Sequence, residues 1–241
     1  EELKQLGAAF SSMSARLKRL IDTSYKEQIA LRDARIQAMQ SRINPHFLNN
    51  ALEDINWQAR MDGNQTVSEM VETLSVLLNA SIDRSERHLV PLREELRIAD
   101  AYFYFIALRF GDSLRIEKRV DPDLSDALVP RLVIQVLVEN AVEHGVGPSG
   151  GGHITLIVTK SGEMVVIEVR NDGKPLSPDE IARMERIMAE DGVTEGHIGI
   201  RNVNQRLRLL FPDRAGLSFR QDENGDTVAS VRLPYTETVP K

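Results

Sequence analysis

Leu3, Leu6, Phe10, Met13, Leu17 and Leu20 recur in alternating steps of three and four, with polar residues between them. That spacing is a heptad seam, and it predicts one continuous helix over residues 1 to about 43. Ser24 and Glu27 hold the same frame with polar side chains, Leu31 and Ala34 resume it, and Ile36, Met39 and Ile43 shift it. At roughly 1.5 Å per residue such a helix runs ~60 Å, longer than a small domain can cover. The seam therefore needs a partner helix, most simply from a second copy of the chain. The helical pattern passes through Pro45 and continues from Leu48 to Ala59. Met61-Asp62-Gly63-Asn64 reads as a turn, because Gly and Asn stop helices. Val67, Met70, Val71, Leu74, Leu77, Leu78 and Ile82 mark a second amphipathic helix. A short turn between two helices gives an antiparallel hairpin, and two copies of the hairpin give a four-helix bundle.

The second half changes period. Val90-Pro91-Leu92-Arg93-Glu94-Glu95 opens a third helix, expected to reach about Phe110 and to stop at Gly111-Asp112. Leu114 to Val120 alternates as a strand does, and Asp121-Pro122 breaks it. Arg131 to Glu143 is a strongly apolar helix closed by His144-Gly145-Val146-Gly147, with Gly150-Gly151-Gly152 as a flexible connection after it. His153–Thr159 and Met164–Arg170 read as strands around Ser161-Gly162. Ser177 is a plausible cap for a helix starting Pro178-Asp179-Glu180, and Gly199–Leu210 forms another helix. Leu217–Gln221 and Thr227–Leu233 close a hairpin around Asn224-Gly225. Mixed strands on one side and helices on the other make this half an α/β sandwich.

Composition narrows the class. The 241 residues are 41% hydrophobic and 27% charged, ordinary for a globular protein of one large or two small domains. A net charge of −6 argues against a phosphate-reading nucleic-acid surface. Without cysteine there are no disulfides, thiolate nucleophiles or thiolate metal ligands. No apolar run approaches the ~18 residues of a membrane span, and no stretch of these residues is expected to act as a signal peptide. The chain opens on Glu-Glu-Leu-Lys in mid-pattern without Met, so it is expected to be a piece of something longer.

Four stretches carry chemistry. Ser41-Arg42-Ile43-Asn44-Pro45-His46-Phe47-Leu48-Asn49-Asn50 places a proline directly before a histidine in a helical pattern; it marks either a presented histidine or a helix boundary. Asn140 ends the apolar run Leu132–Val138, where its amide oxygen could ligate Mg²⁺ on nucleotide phosphates, and His144 could donate to a phosphate. Arg170-Asn171-Asp172-Gly173-Lys174-Pro175 follows a strand, where an amide or carboxylate could accept from an adenine amino group beside a glycine. Gly196-His197-Ile198-Gly199-Ile200-Arg201-Asn202-Val203 leads glycines into a helix whose first N–H groups are free for phosphate. Each has a plainer reading: a helix end, an Asn-Asp-Gly turn, a loop before a helix. His88 and His153 read as solvated or capping, Trp57 as packed in the bundle, and no cluster has zinc-ligand spacing.

Taken in order, the last three stretches resemble the nucleotide-binding domain of the GHKL ATPase superfamily. The Pro-His run, Ile55-Asn56-Trp57, Arg109-Phe110-Gly111-Asp112-Ser113-Leu114, Leu137-Val138-Glu139-Asn140-Ala141 and His197-Ile198-Gly199-Ile200-Arg201-Asn202-Val203-Asn204-Gln205-Arg206-Leu207 are similar to the LytS/YesM-type sensor histidine kinases. Residues 1–22 resemble the second helix of a HAMP linker. The resemblance implies a dimerisation and phosphotransfer hairpin over 23–90 and a GHKL catalytic domain over 91–241. It implies His46 as phospho-acceptor and Asn50, one turn on, as a residue orienting water or the imidazole. Asn140 would be the Mg²⁺ ligand, with Glu139 and His144 near the phosphates. Asn171, Asp172 and Gly173 match the adenine-binding box; Gly196, Gly199 and Asn202 match the second glycine box; residues 174–198 match the ATP lid. ATP and Mg²⁺ are the implied cofactors, and the partners a second copy and a response-regulator receiver domain, with membrane segments upstream of a cytoplasmic fragment.

The chain departs from that pattern in places. The adenine box ordinarily reads Asp-x-Gly, whereas Asn171 holds the acid's place and Asp172 follows it. Pro175 stands for a common second glycine, and Asn49 for tyrosine. Val136 stands where water-using relatives carry a glutamate base, which favours transfer to His46 over hydrolysis. Two other functions fit the resemblance: a weakly catalytic pseudokinase acting as a dimeric scaffold, and a regulator phosphatase using Asn50 to place water.

Overall fold

The computed structural model describes residues 45–82, 88–189 and 198–238. The expected seam and HAMP-like stretch fall in 1–44, and Gly196 in 190–197, outside the described residues. The chain divides into two compact units, Glu1–Ala51 and Leu52–Lys241. In the first, residues 45–51 form the opening of helix α1 (Pro45–Met61), whose first described residue is Pro45.

The second unit begins with the rest of α1 and helix α2 (Gln65–Ile82). The turn between them follows the sequence signal. Gly63 takes φ +68, a conformation open to glycine, and Asn64 Oδ1 accepts from Val67 N–H to cap α2. Across the hairpin, Ser68 Oγ donates to Asn56 Oδ1 at 2.6 Å and Arg60 pairs with Glu72. Strand β1 (Leu89–Pro91) and helix α3 (Leu92–Phe110) follow, then β2 (Leu114–Val120), β3 (Leu128–Pro130) and helix α4 (Val133–Asn140). Strands β4 (Gly152–Ser161) and β5 (Met164–Asn171), helices α5 (Pro178–Ala189) and α6 (Ile198–Leu210), and strands β6 (Gly216–Gln221) and β7 (Thr227–Pro234) complete the unit.

Five strands form one sheet in the order β2-β4-β5-β7-β6; β2 and β4 pair in parallel and the rest are antiparallel. Alternation decides which face is covered. Val165, Ile167 and Val169 of β5 are fully buried, and their cross-strand partners on β7 are Leu233, Val231 and Ala229. This apolar layer joins one core with Leu92, Ala99 and Phe103 of α3, Ile134, Leu137 and Val138 of α4, Met184 of α5, and Leu207 of α6. The C-terminal half is the expected α/β sandwich.

The structure corrects three local expectations. Val90-Pro91 does not open α3: it belongs to β1, a strand that pairs with the unforeseen β3. Both are three-residue segments, too short for periodicity to register. The apolar helix begins at Val133 rather than Arg131, because Leu132 sits at φ +60 and cannot continue a helix. Gly150-Gly151-Gly152 is no flexible connection: Gly152 starts β4 at φ +144, and a Cβ there would lie 2.5 Å from Asp172 Oδ1. Trp57, expected to pack in the two-copy bundle, is 65% exposed in the single chain.

Candidate functional site

The covered row of the sheet ends on a polar pair. Continuing the period-two row of β5 past Val169 reaches Asn171, and continuing that of β7 past Ala229 reaches Thr227; the two are cross-strand partners. Both are buried, at 4% and 6% exposure. Neither Asn171 Oδ1 nor Thr227 Oγ1 has a hydrogen-bond partner among the described residues. Buried polar atoms are nearly always paired, so two orphans on paired strands at one end of the sheet call for a partner from outside the described residues. Thr227 was missed in the sequence. Its signal was there: a threonine in the inward row of a strand otherwise filled by Ala229, Val231 and Leu233.

Backbone closes over this pair. A Cβ on Gly145 would lie 2.1 Å from Asn171 Oδ1, and one on Gly173 would lie 2.2 Å from the Gly145 carbonyl carbon. Lys174 N–H donates to Gly145 O at 3.2 Å, so the turn after β5 is bound to the end of the apolar helix. Asp172 points its carboxylate to the His153 N–H at 2.6 Å, and its own N–H donates to His153 O. It thereby ties the β5 end to the start of β4.

Asn140 closes α4, and from Ala141 to Val146 the helix widens into a π turn. Gly147 N–H reaches back to Val142 O, and a Cβ on Gly147 would collide with that oxygen. π turns inside helices recur at functional sites. Here the widened turn carries Glu143, His144 and Gly145, with Glu139 and Asn140 half-buried one turn before and His144 exposed. Gln135 donates to Glu139 at 2.7 Å. The Tyr102 hydroxyl of α3 is pushed up to about 12 by burial and by the charges of Glu139 and Glu143, so it stays a neutral hydrogen-bonding group. Glu95 of α3 caps α4 from outside the helix: its fully buried carboxylate accepts from Leu132 N–H at 2.6 Å and Ile134 N–H at 3.2 Å.

Beside the π turn lies a cavity of about 210 Å³ lined by His144, Lys174, Leu176, Glu180, Arg183 and Met184 among others. Its wall, α5, starts in a capping box: Glu180 N–H donates to Ser177 Oγ at 3.2 Å, and Ser177 N–H to Glu180 Oε2 at 2.8 Å. Helix α6 holds α5 through Asn204, whose buried amide donates to Met188 O at 3.0 Å. At the other end of α6, Gly199 packs on Val136, where a Cβ would stand 3.2 Å from Val136 Cγ1. Asn202 is exposed on α6. Among the sequence candidates, then, Asn171 and Gly173 meet Gly145 of the His144-bearing turn. Gly199 meets α4 through Val136, Asp172 serves the β4–β5 junction, and Asn202 faces outward. Among the described residues no group of three or more His, Asp or Glu is placed to hold a metal ion by itself.

A larger hollow of about 1280 Å³ lies between α1, α2 and α3, lined by Leu52, Val76, Ala80, Tyr104 and Arg131 among others, and shares no lining residue with the cavity beside the π turn. Ile55, Trp57, Met61 and Leu74 of the hairpin are exposed apolar side chains. His46 and Asn50, four residues apart on α1 and so on one helix face, are both exposed and belong to the other unit.

A family model described as "Histidine kinase" matches residues 34–114, and one described as "Histidine kinase-, DNA gyrase B-, and HSP90-like ATPase" matches residues 125–237. The chain is 29% identical to the sensor histidine kinase YesM of Bacillus subtilis over 99% of its own length and 40% of the relative's. It is 33% identical to the sensor histidine kinase YpdA of Escherichia coli, covering 93% of this chain and 40% of that one. The sensor protein LytS of Bacillus subtilis is 30% identical over 86% of this chain and 35% of its own. The chain thus spans about two fifths of the length of these curated relatives.

Proposed function

Because the chain belongs to the LytS/YesM-type sensor histidine kinases, we propose that it binds Mg·ATP in the Asn171 cleft and phosphorylates His46. One observation carries the nucleotide reading: the two buried, unpartnered polar atoms of Asn171 and Thr227 at the end of an apolar row. They fit the polar edge of a base, with Val169 and Ala229 behind them and the Gly145–Gly173 contact leaving room for backbone alone. Asn140 is the residue to hold Mg²⁺ through its amide oxygen, a hard ligand of the kind the ion prefers. When bound, Mg²⁺ neutralises charge that develops on the transferring phosphoryl group. Glu139 and His144 flank Asn140 on the helix and its π turn, where they would lie near the phosphates of a bound nucleotide. Gly199 and Asn202 on α6 directly follow the lid in sequence. Asp172 supports the site by fixing the β5 turn.

In the transfer, a neutral imidazole nitrogen of His46 forms the new N–P bond while the bond from the γ-phosphorus to the bridging oxygen breaks and ADP leaves. Asn50, one turn on, orients the imidazole or a water. Val136, which packs on Gly199, stands where water-using relatives carry a glutamate base, and this favours transfer to His46 over hydrolysis. The phosphoryl group then passes to an aspartate of a response regulator. The hairpin dimerises through its exposed apolar side chains, Ile55, Trp57, Met61 and Leu74, in a bundle with a second copy. The whole reads as the cytoplasmic part of a membrane-anchored sensor; among the described residues no helix is long and apolar enough to cross a membrane.

The test is incubation with γ-labelled ATP and Mg²⁺ beside His46→Ala. Acid-labile, base-stable label that vanishes in the variant supports the reading. Label that persists in the variant removes His46 from the role. Absence of both label and nucleotide binding overturns the reading.

A further inference from the structure

We infer that Asn171 makes the base pocket ambivalent, so that it takes 6-oxopurine nucleoside triphosphates as well as ATP. The inference rests on the nucleotide reading above and names the substrate range of the same site.

The pocket's inner edge is neutral. The side chains that end the covered row are one amide and one hydroxyl, Asn171 and Thr227, 4% and 6% exposed. The acid next in sequence, Asp172, commits Oδ1 to the His153 N–H and packs against Gly152. No hydrogen bond among the described residues fixes Asn171 Oδ1 or Thr227 Oγ1. An amide carries an acceptor and two donors of nearly the same shape, and a hydroxyl donates or accepts by rotating. A half-turn of the Asn171 amide leaves its volume unchanged, so the close fit to Gly145 permits both orientations. One presents Oδ1, which accepts from a 6-amino group. The other presents Nδ2, which donates to a 6-keto oxygen. A carboxylate at this place has no donor: it accepts from the amino group and repels the keto oxygen. Buried polar groups committed to one hydrogen-bonding pattern reject the opposite pattern by about 10⁴-fold or more, and a pocket able to reverse its pattern does not discriminate on that scale.

Inosine triphosphate isolates the question. It differs from ATP at the 6 position and the proton on the adjoining ring nitrogen, and adds no group elsewhere. Calorimetric titration of the chain with Mg·ATP and with Mg·ITP, then of Asn171→Asp with both, tests the inference. The expected result is that the two nucleotides bind the parent within about tenfold of each other, and that Asn171→Asp separates them by about a hundredfold or more in favour of ATP. An ITP affinity about a hundredfold or more below that of ATP in the parent overturns the inference and leaves the nucleotide reading standing. Failure of both nucleotides to bind the parent overturns that reading and the inference with it. The parent's ratio decides the matter even where the aspartate variant does not fold.

Discussion

Glu95 and Leu132 are joined by a 2.6 Å hydrogen bond from the Leu132 backbone to a carboxylate with no exposed surface. The bond caps the helix carrying Asn140 from a different helix, because the hydrocarbon side chain of Leu132 at the cap position has no acceptor of its own. Burial pushes the Glu95 carboxyl up from 4.5 to about 7, against the pull of the Leu132 and Ile134 N–H groups and the charge of Arg131. In the unfolded chain the group ionises near 4.5, whereas in the fold it keeps its proton to about 7. Its contribution to stability is therefore full below 4.5 and is lost as pH rises through 7, a span worth roughly 3 kcal/mol. Urea unfolding at pH 5 and pH 8 reads it. Glu95→Gln should flatten the decline between those values, and an unchanged slope assigns the decline to other groups. Glu95→Ala strands two buried N–H groups and should destabilise the unit by about 3 kcal/mol at either pH.

Gly145 and Gly173 differ in what an added methyl group meets. At Gly145 it strikes the Asn171 amide; at Gly173 it strikes the Gly145 backbone. A side chain gives way more readily than a backbone. Gly145→Ala is expected to cost about 1–3 kcal/mol in thermal unfolding and to weaken ATP binding, since the displaced group is the proposed base contact. Gly173→Ala should be the more destabilising of the two. The reverse order would mean that the β5 turn moves freely away from the π turn.

The helical hairpin, the sandwich and the Asn171 turn were legible because each repeats a period or ends on a turn residue. Ser177 was legible as the cap of α5, and the reciprocal bond from Glu180 is what the structure adds. Three things were not legible. Strands β1 and β3 are too short to show alternation. Glu95 reads as one more charge on an amphipathic helix, since nothing local says that its acceptor role lies at Leu132, 37 residues on. The π turn leaves no trace either, because Ala141–Val146 has the composition of an ordinary helix end. Thr227 was readable in principle: the parity that buries Val231 and Ala229 buries it too, and only a hydrophobic search passes over it.

Arg131 links the hairpin to the sandwich at the residue before Leu132. Its guanidinium donates to Ala80 O on α2 at 2.7 Å, while its own carbonyl accepts from the Arg206 guanidinium of α6. The second bond uses backbone and survives any change of the 131 side chain. Arg131→Met should therefore release α2 without freeing α6. Amide exchange is expected to quicken near the end of α2, stability to fall by about 1.5–3 kcal/mol for the lost charged hydrogen bond, and ATP affinity to hold within about twofold. Equal loosening of α2 and α6 would show that the side chain, not the carbonyl, carries both links.

The capping box of α5 sets a separate dependence on acid. Hydrogen bonds from the Ser177 backbone and hydroxyl, aided by Lys174, hold the Glu180 carboxyl down at about 2. A lowered value means that the ionised form supports the fold: the support is present above the ordinary 4.5 and is lost as pH falls towards 2. Above pH 5 the box is complete, so α5 should show constant amide protection from pH 5 to 8 while the Glu95 effect runs its course. Glu180→Gln removes the charge and keeps an acceptor, and should weaken protection at Ser177 and in the first turn of α5 at pH 7. Ser177→Ala removes the other half and should expose the Glu180 N–H. If protection in that turn is unchanged in both variants, α5 is held by Asn204 and Met188 at its far end rather than by its cap.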